Sequence, residues 1–344
     1  MAVLSSVESA ERRFAEFLAS IGGIVRASRR QRGKAGPDIV MRSEVRGKPV
    51  TIIAEYKSQG EPRYLRQAAD QLRDYLPKYP AAYPVIIAPY ITESTATLLN
   101  SKGIGYFDFA GNALIDYGPI FVRVAGKPRL NPVQRKLKSL FAQRSARILR
   151  VILINPEKRW LVRDLAREAN VSIGLVSKVK QKLIEFELAD DSRDMFVTKP
   201  GQLLDEWARA YRYEDNPIER YYSQAGPREL ESRLASAAGS RGFKYALTMF
   251  SGAARIAPAV RYNFASFYYL GRPEELVKEL EIKPVPTGAN VWVFKPADEG
   301  VYYGLQKREG MAIVSNVQLY LDLINFKGRG EEQAAAIREQ SLGY

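Results

Sequence analysis

The sequence predicts an α/β protein built from two or three domains. At 344 residues, the chain is longer than a single hydrophobic core usually serves. The first third alternates helical and strand-like patterns, the middle is mainly helical, and the last third places helical patterns before strand-like runs. Such alternation is typical of sheets covered by helices. We expect domains at residues 1–130, 131–200 and 201–344, the last of them α+β.

Composition narrows the chemistry that the chain can perform. It contains no cysteine and no histidine, so disulfides, thiolate zinc sites and imidazole catalysis are excluded. A metal site would consist of oxygen ligands, which favours Mg²⁺, Mn²⁺ or Ca²⁺. No apolar run has the length of a membrane span, and the first residues lack the pattern of a secretory signal. We therefore expect a cytoplasmic protein that does not enter a membrane.

Basic residues outnumber acidic residues by 52 to 38, a net charge of +14. The excess is concentrated in residues 26–34 and 133–150. Such clusters suit a polyanion, and nucleic acid is the first candidate; a solvated basic surface without a partner is the alternative. The candidate phosphate contacts in these clusters are Arg29, Arg30, Arg32, Lys34, Arg144 and Arg147.

The first third predicts one helix, three strands, a second helix and a further strand. Val7, Glu11, Phe14 and Leu18 recur at helical spacing, so residues 5–20 are predicted to form a helix with Glu11 on its apolar side. Three strand candidates follow, and Pro62 then begins a helix that ends near Leu76. The strand candidates lie around residues 24–28, 38–41 and 50–57, with VIIAPY as the later strand.

Three charged residues interrupt these apolar strands. Side chains alternate along a strand, so Glu55 and Lys57 share one face of the third strand. Asp38 begins the preceding strand, directly after Gly36 and Pro37, where the backbone can direct it to the same place. Two carboxylates and a lysine are the set that metal-assisted phosphodiester hydrolysis requires, because the carboxylates bind Mg²⁺ and the lysine stabilises developing charge.

Asp38 followed by Glu55-Tyr56-Lys57 resembles the PD-(D/E)xK motif of restriction-endonuclease-like nucleases and Holliday-junction resolvases. The resemblance implies a restriction-endonuclease-like N-terminal domain with Asp38, Glu55, Lys57 and Gln71 as catalytic residues. It also implies Mg²⁺ or Mn²⁺ held by Asp38, Glu55 and the first-helix Glu11. Gln71 and Tyr75 are similar to the QxxxY motif of the RecB-like branch. The alternative is a retained scaffold in which these residues form ion pairs or bind DNA without cutting it.

The α/β pattern continues to about residue 125. Thr92 is the expected N-cap of a helix that Gly103 ends. IGYFDF and IFVRV predict further strands. The stretch GIGYFDFAGN lacks the spacing of a nucleotide-binding loop, so no nucleotide site is assigned.

The middle of the chain predicts a DNA-reading module. Two helices, a short turn at Val171 and Ser172, a third helix and a small hairpin follow one another over residues 144–200, an order that resembles a winged helix-turn-helix. A three-helix bundle with a basic surface is the alternative. The candidate DNA contacts are Ser172, Ser177, Lys178, Gln181 and Lys182 on the third helix and Arg193 in the hairpin.

The last third holds phrases that resemble a family of regulators. YALTMFSGAARIAP and VSNVQLYLDLINFKGRGEEQAAAI, with GIGYFDFAGN upstream, resemble the AbiEi-like antitoxins of type IV toxin–antitoxin systems and related transcriptional regulators. The resemblance implies a winged helix and a cognate toxin as partner. Many such antitoxins begin at the winged helix, so the nuclease-like segment is a departure from the pattern.

Three functional hypotheses follow from these patterns. The first is a transcriptional regulator that binds duplex DNA through the winged helix. The second is a Mg²⁺-dependent endonuclease that the winged helix directs to DNA. The third is an antitoxin that neutralises a toxin. A single winged helix usually gains specificity by dimerising on repeated half-sites, so we expect a homodimer.

Overall fold

The computed structural model describes residues 6–30, 36–45, 48–117, 120–127, 140–190 and 192–344, with the backbone alone for residues 6, 27–30 and 45. It divides into two compact units. The described residues up to Lys127 form the first unit, and nearly all described residues from Leu140 onwards form the second. Each unit contains one seven-stranded mixed sheet, which confirms the predicted α/β class.

The sheet of the first unit follows chain order from β1 to β7. The central strands β3, β4 and β5 run parallel, and the flanking pairs on both sides run antiparallel. The strands are β1 (Gly23–Arg30), β2 (Ile39–Val45), β3 (Lys48–Tyr56), β4 (Ala82–Ala88), β5 (Gly105–Asp108), β6 (Ala113–Tyr117) and β7 (Ile120–Val124).

Helices cover both faces of this sheet. Helix α1 (Ser6–Ser20) buries a stripe of apolar residues, Phe14 among them, against the even-numbered side of β3. Helix α2 (Pro62–Tyr75) and helix α3 (Glu93–Ser101) pack on the opposite face, where Ile53 points. Because Glu55 and Lys57 follow Ile53 at a spacing of two, they lie on the α2 side.

The helices and strands predicted for the first unit are present, and one further strand, β6, was not predicted. Thr92 caps α3 as predicted, since its Oγ1 accepts a hydrogen bond from the backbone of Thr95 at 3.3 Å. Gly111, at a φ of 93°, turns the chain between β5 and β6, so this glycine-containing loop is a tight hairpin.

The second unit begins with three helices and a small hairpin. The helices are α4 (Gln143–Ile154), α5 (Val162–Glu168) and α6 (Ile173–Glu185). In the hairpin, residues 188–190 and 196–198 exchange backbone hydrogen bonds, and Trp160 adds a third short strand by pairing with Met195. The turn between α5 and α6 contains Asn170 at a φ of 50°, a left-handed conformation that asparagine tolerates.

The remaining chain folds around the second sheet, whose strand order is β11-β8-β12-β10-β9-β14-β13. Its strands are β8 (Ile218–Tyr222), β9 (Lys244–Leu247), β10 (Ala265–Leu270), β11 (Lys283–Pro284), β12 (Val291–Phe294), β13 (Gln306–Arg308) and β14 (Met311–Ile313). Its helices are α7 (Pro200–Ala210), α8 (Pro227–Arg241), α9 (Met249–Ala253), α10 (Pro273–Leu280), α11 (Asn316–Ile324) and α12 (Gly330–Ile337).

Helix α4 packs into the C-terminal part of the chain. Its residue Arg150 is buried and donates hydrogen bonds to Gln318 of α11. The hydroxyl of Tyr344 donates to the backbone carbonyl of Leu153 at 2.5 Å. The expected boundary at residues 200 and 201 therefore lies inside one compact unit, because α4 supplies part of its core.

None of the helices in the described segments combines the length and apolar character that a membrane span requires.

Candidate functional sites

The first candidate site lies where β2 and β3 meet helix α2. Residues Ile39 and Ala54 are register partners, so Asp38 stands beside the end of β3. The Oδ2 atom of Asp38 accepts a hydrogen bond from the backbone N–H of Tyr56 at 2.9 Å. This bond fixes Asp38 against the strand segment that carries Glu55.

Lys57 connects the strand to the helix. Its Nζ atom donates to Oε2 of Glu55 at 2.9 Å and to Oε1 of Gln71 at 2.8 Å. Tyr75 lies one helical turn beyond Gln71, and its pKa is raised by burial and by the negative charges of Glu55 and Asp38. The structure thus brings together Asp38, Glu55, Lys57 and Gln71, the four residues that the nuclease resemblance implied.

Burial, Lys57 and Asp38 together set the charge of Glu55 in this cluster. Glu55 is buried, and burial raises its pKa. The hydrogen bond from Lys57 opposes that rise, whereas the negative charge of Asp38 adds to it. Asp38 is half-buried, and two neighbouring carboxylates that repel each other bind a divalent cation favourably.

Mg²⁺ or Mn²⁺ fits this pair of carboxylates. Mg²⁺ usually takes one or two carboxylates from a protein and keeps several waters, so Asp38 and Glu55 are a sufficient donor set. Glu11 lies on α1, whose apolar stripe packs on the opposite face of the sheet. In the residues described, no group of three carboxylates comes close enough to hold a metal ion, so Glu11 does not join the pair as the resemblance implied.

The second candidate site is the outer face of helix α6. Ser172 caps this helix, since its Oγ accepts a hydrogen bond from the backbone of Leu175 at 3.3 Å. Val176, Val179 and Leu183 are buried. The opposite face carries the predicted contact residues: Ser172, Ser177, Lys178 and Gln181 are exposed, and Lys182 is half-buried.

The hairpin that carries Arg193 is tied to this helix. The Nζ atom of Lys180 donates hydrogen bonds to the backbone carbonyls of Ser192 and Arg193, the latter at 2.9 Å. Arg193 itself is exposed. Sequence reasoning missed the role of Lys180, because a lysine in a helix gives no sign that it reaches a loop twelve residues later.

The basic residues predicted to contact phosphate do not all lie on an exposed surface. Arg144 is exposed on α4, whereas Arg147 forms an ion pair with Asp298, in which its Nε atom donates to both carboxylate oxygens at 2.8 and 3.0 Å. That pairing removes Arg147 from the surface expected to contact phosphate. Of the first cluster, Arg32 and Lys34 lie outside the described residues, and the structure describes only the backbone of Arg29 and Arg30.

Residues 196–343 match the family model described as transcriptional regulator, AbiEi antitoxin, type IV TA system. The match spans less than half of the chain and covers the C-terminal part of the second unit. It supports a regulatory DNA-binding or antitoxin role. It also agrees with the sequence phrases of the last third, which lie within it.

A solved structure titled "Structure of EndoMS in apo form" is similar at 18% sequence identity, with a TM-score of 0.24 over 32% of this chain and 48% of that one. The chain thus spans about half the length of that protein. No curated protein matches the chain.

Proposed function

We propose that this protein is a transcriptional regulator that binds duplex DNA through a winged helix-turn-helix formed by helices α4, α5 and α6 and the following hairpin. The observation that carries the proposal is the exposed polar and cationic face of α6. The turn before this helix ends at its N-cap Ser172, and the hairpin after it is bound by Lys180. A helix in this position enters the major groove in winged helix-turn-helix proteins.

The exposed residues of α6 suit the two kinds of DNA contact. Gln181 offers the amide that pairs with adenine, and Lys178 offers a cation for guanine or phosphate. Ser172 can donate to a phosphate oxygen, since its hydroxyl only accepts a bond within the described part of the protein, whereas the hydroxyl of Ser177 donates to the carbonyl of Ile173 and would have to turn to do so. Because Lys180 fixes the hairpin backbone, Arg193 is held beside the helix, where it reaches a phosphate or the minor groove.

The net charge of +14 predicts a steep dependence of affinity on salt. Each neutralised phosphate releases condensed counterions, and log K falls with log salt by about 0.9 per contact on duplex DNA. Arg144 and the other basic residues of the chain add affinity for DNA that does not depend on its sequence. Specificity therefore rests on α6, and overall affinity rests on the charge.

The test is duplex binding measured by fluorescence anisotropy, with sites selected from random DNA by the wild-type protein. Lys178→Ala and Gln181→Ala should each weaken binding to the selected site by roughly 5- to 150-fold, the equivalent of ~1–3 kcal/mol per lost base contact. Lys278→Ala is the matched control, because Lys278 is also an exposed helical lysine but lies on α10. Equal affinity of all four proteins, or wild-type binding that salt does not weaken, would refute the proposal.

A second function is favoured by one specific observation, the bridge that Lys57 makes between Glu55 and Gln71 beside Asp38. We propose as the alternative a Mg²⁺-dependent endonuclease in which Asp38 and Glu55 would hold the metal. The bound ion would supply Lewis-acid activation of the phosphate and of a water. Lys57, held by Gln71, orients the water and stabilises charge on the phosphate oxygens.

Plasmid nicking with Mg²⁺ and then Mn²⁺ tests this alternative, with wild type compared with Lys57→Ala below the unfolding temperature of both proteins. Cutting by wild type alone supports the endonuclease. If neither protein cuts while both bind duplex DNA in a gel shift, the cluster is a scaffold and the regulator remains. A loss of DNA affinity in Lys57→Ala would identify the cluster as a DNA contact instead.

Partners follow from the same proposal. A homodimer would place two α6 helices on repeated half-sites, and sedimentation showing only monomer at micromolar concentration would contradict it. The family match also supports a cognate toxin as a partner, which co-purification tests. A soluble cytoplasmic location fits both roles.

A further inference from the structure

A cavity of about 220 Å³ lies between helix α4 and the end of helix α7, within the second unit. Phe141 and Trp207 form an aromatic wall, with ring centroids 6.4 Å apart and nearly parallel planes. Arg150 lines the cavity, and its guanidinium carbon lies 5.1 Å from the ring centroid of Trp207. The other polar residues of the lining are Gln143, Tyr211, Arg212, Asp215, Asn216 and Asp298. Of the two carboxylates, Asp298 is paired with Arg147, and Asp215 is exposed.

Arg150 is a buried cation without a carboxylate partner in the described part of the chain. The residue is only 4% exposed. Its Nε and Nη2 atoms both donate to the single amide oxygen of Gln318, at 3.0 and 2.7 Å. No described residue accepts a hydrogen bond from its Nη1 atom. Arg147, one helical turn earlier, is compensated in the usual way, because it forms an ion pair with Asp298.

A buried charge of this kind is costly unless something compensates it. Burial lowers the pKa of Arg150, although the nearest carboxylates, Asp322 and Asp298, act in the opposite direction. Asp322 is already occupied by four side-chain donors, and Asp298 by Arg147. Guanidinium groups bind carboxylates and phosphates through two parallel hydrogen bonds, so the free edge of Arg150 lacks an anion.

We propose that this cavity binds a small organic anion whose carboxylate or phosphate accepts hydrogen bonds from Arg150 and whose apolar part lies against Trp207. The volume is below the ~300–1,000 Å³ of drug-sized pockets, so the ligand is small. The aromatic wall favours a planar or apolar remainder over a bare inorganic ion.

The cavity lies beside helix α4 of the proposed DNA-binding module, so a bound ligand can affect DNA binding. Arg150 lies on α4, and Gln318 lies on α11, so an anion on Arg150 joins the contact between these two helices. A ligand that binds one arrangement of α4 better than another shifts the population between them. This consequence rests on the proposed DNA-binding function, whereas binding of the anion does not.

Isothermal titration calorimetry and thermal unfolding of the full chain, without DNA, test the binding. The probes are benzoate, phenyl phosphate and the uncharged benzyl alcohol at constant ionic strength. We expect saturable binding and a rise in the unfolding temperature with at least one of the two anions, and neither with benzyl alcohol. The anion that binds more tightly identifies the head group.

Two variants locate the site. Ala210 lies exposed at the rim of the cavity, so Ala210→Phe blocks the mouth while leaving Arg150 in place, and we expect at least tenfold weaker binding. Ala335→Phe is the control, since Ala335 is exposed on α12 outside the cavity, and it should bind as wild type does. The proposal fails if neither anion binds wild type, if benzyl alcohol binds as tightly as the anions, or if Ala210→Phe binds them undiminished.

Discussion

Two buried carboxylates, Asp322 in the second unit and Glu55 in the first, have opposite surroundings. Asp322 is fully buried, and four side chains donate hydrogen bonds to it. Tyr211 donates to it at 2.7 Å, Gln318 at 2.8 Å and Tyr268 at 3.0 Å, and Thr248 donates to its other oxygen. Glu55 accepts hydrogen bonds from the side chain of Lys57 and from the backbone of Asp38, and it faces the negative charge of the Asp38 carboxylate.

The two carboxylates differ in how their negative charge is compensated. Burial raises the pKa of both carboxylates, and donors oppose that rise in both. The negative charge of Asp38 raises the pKa of Glu55 further. A fully satisfied network stabilises a fold, whereas an excess of like charge costs stability unless a cation binds. The comparison therefore marks Asp322 as a core residue and supports the proposal that Glu55 binds a cation.

The largest expected effect is that of Asp322→Ala on the stability of the second unit. The substitution removes the acceptor shared by Tyr211, Thr248, Tyr268 and Gln318, although Gln318 also donates to the Tyr211 hydroxyl. The free energy of unfolding should therefore fall by ~3–5 kcal/mol, as for a broken buried polar network. Urea unfolding followed by circular dichroism measures it. Exposed Asp215→Ala on the same unit is the control, and an equal small effect of both substitutions would remove the contrast with Glu55.

Lys57→Ala should have a smaller effect, confined to the first unit. The substitution removes the donor that compensates the buried charge of Glu55, which costs ~1–3 kcal/mol and raises the pKa of Glu55 further. Urea unfolding at pH 7 in EDTA measures the loss.

The double variant Lys57→Ala/Glu55→Gln checks the cause of that loss. It should recover most of the stability, because the uncompensated charge is gone. If the double variant is as unstable as Lys57→Ala, the lysine acts through packing rather than charge.

Local periodicity predicted which side chains of the first site share a face, but it did not predict the long-range contacts of the second unit. Alternation along one strand placed Glu55 and Lys57 on one face, and helical spacing placed Gln71 and Tyr75 on the facing helix, because these are local periodicities. The position of Glu11 could not be predicted in the same way. Helical periodicity shows which side of α1 is buried, but it does not show which face of the sheet that side covers.

Long-range pairing explains what could not be predicted in the second unit. Arg147 and Arg150 belong to a basic run that reads as a surface for phosphate, yet their partners Asp298 and Gln318 lie over 150 residues later. A charge in a helical run gives no local sign of such a partner. The division of the chain into two compact units rather than three has the same origin, because these contacts join α4 to the C-terminal part.

The smallest expected effect has the opposite sign. Glu55→Gln removes a buried charge beside Asp38 but keeps the shape and one acceptor for Lys57, so in metal-free buffer at pH 7 the variant should be as stable as wild type or more stable by roughly 1 kcal/mol. Burial and Asp38 raise the pKa of Glu55 above its ordinary 4.5. The wild-type protein therefore loses stability as the pH rises from 4.5 through that raised value, and the variant does not.

The gain in stability of Glu55→Gln over wild type should thus be absent below pH 4.5. It should grow as the pH rises to the raised pKa of Glu55 and stay constant above that pKa. Urea unfolding of both proteins from pH 4 to pH 8 in EDTA measures the difference. Added Mg²⁺ or Mn²⁺ should reverse the order at pH 7, because only the wild type keeps both carboxylates and binding to the folded state stabilises it. A variant that is less stable than wild type at every pH without metal would show that Glu55, like Asp322, is structural.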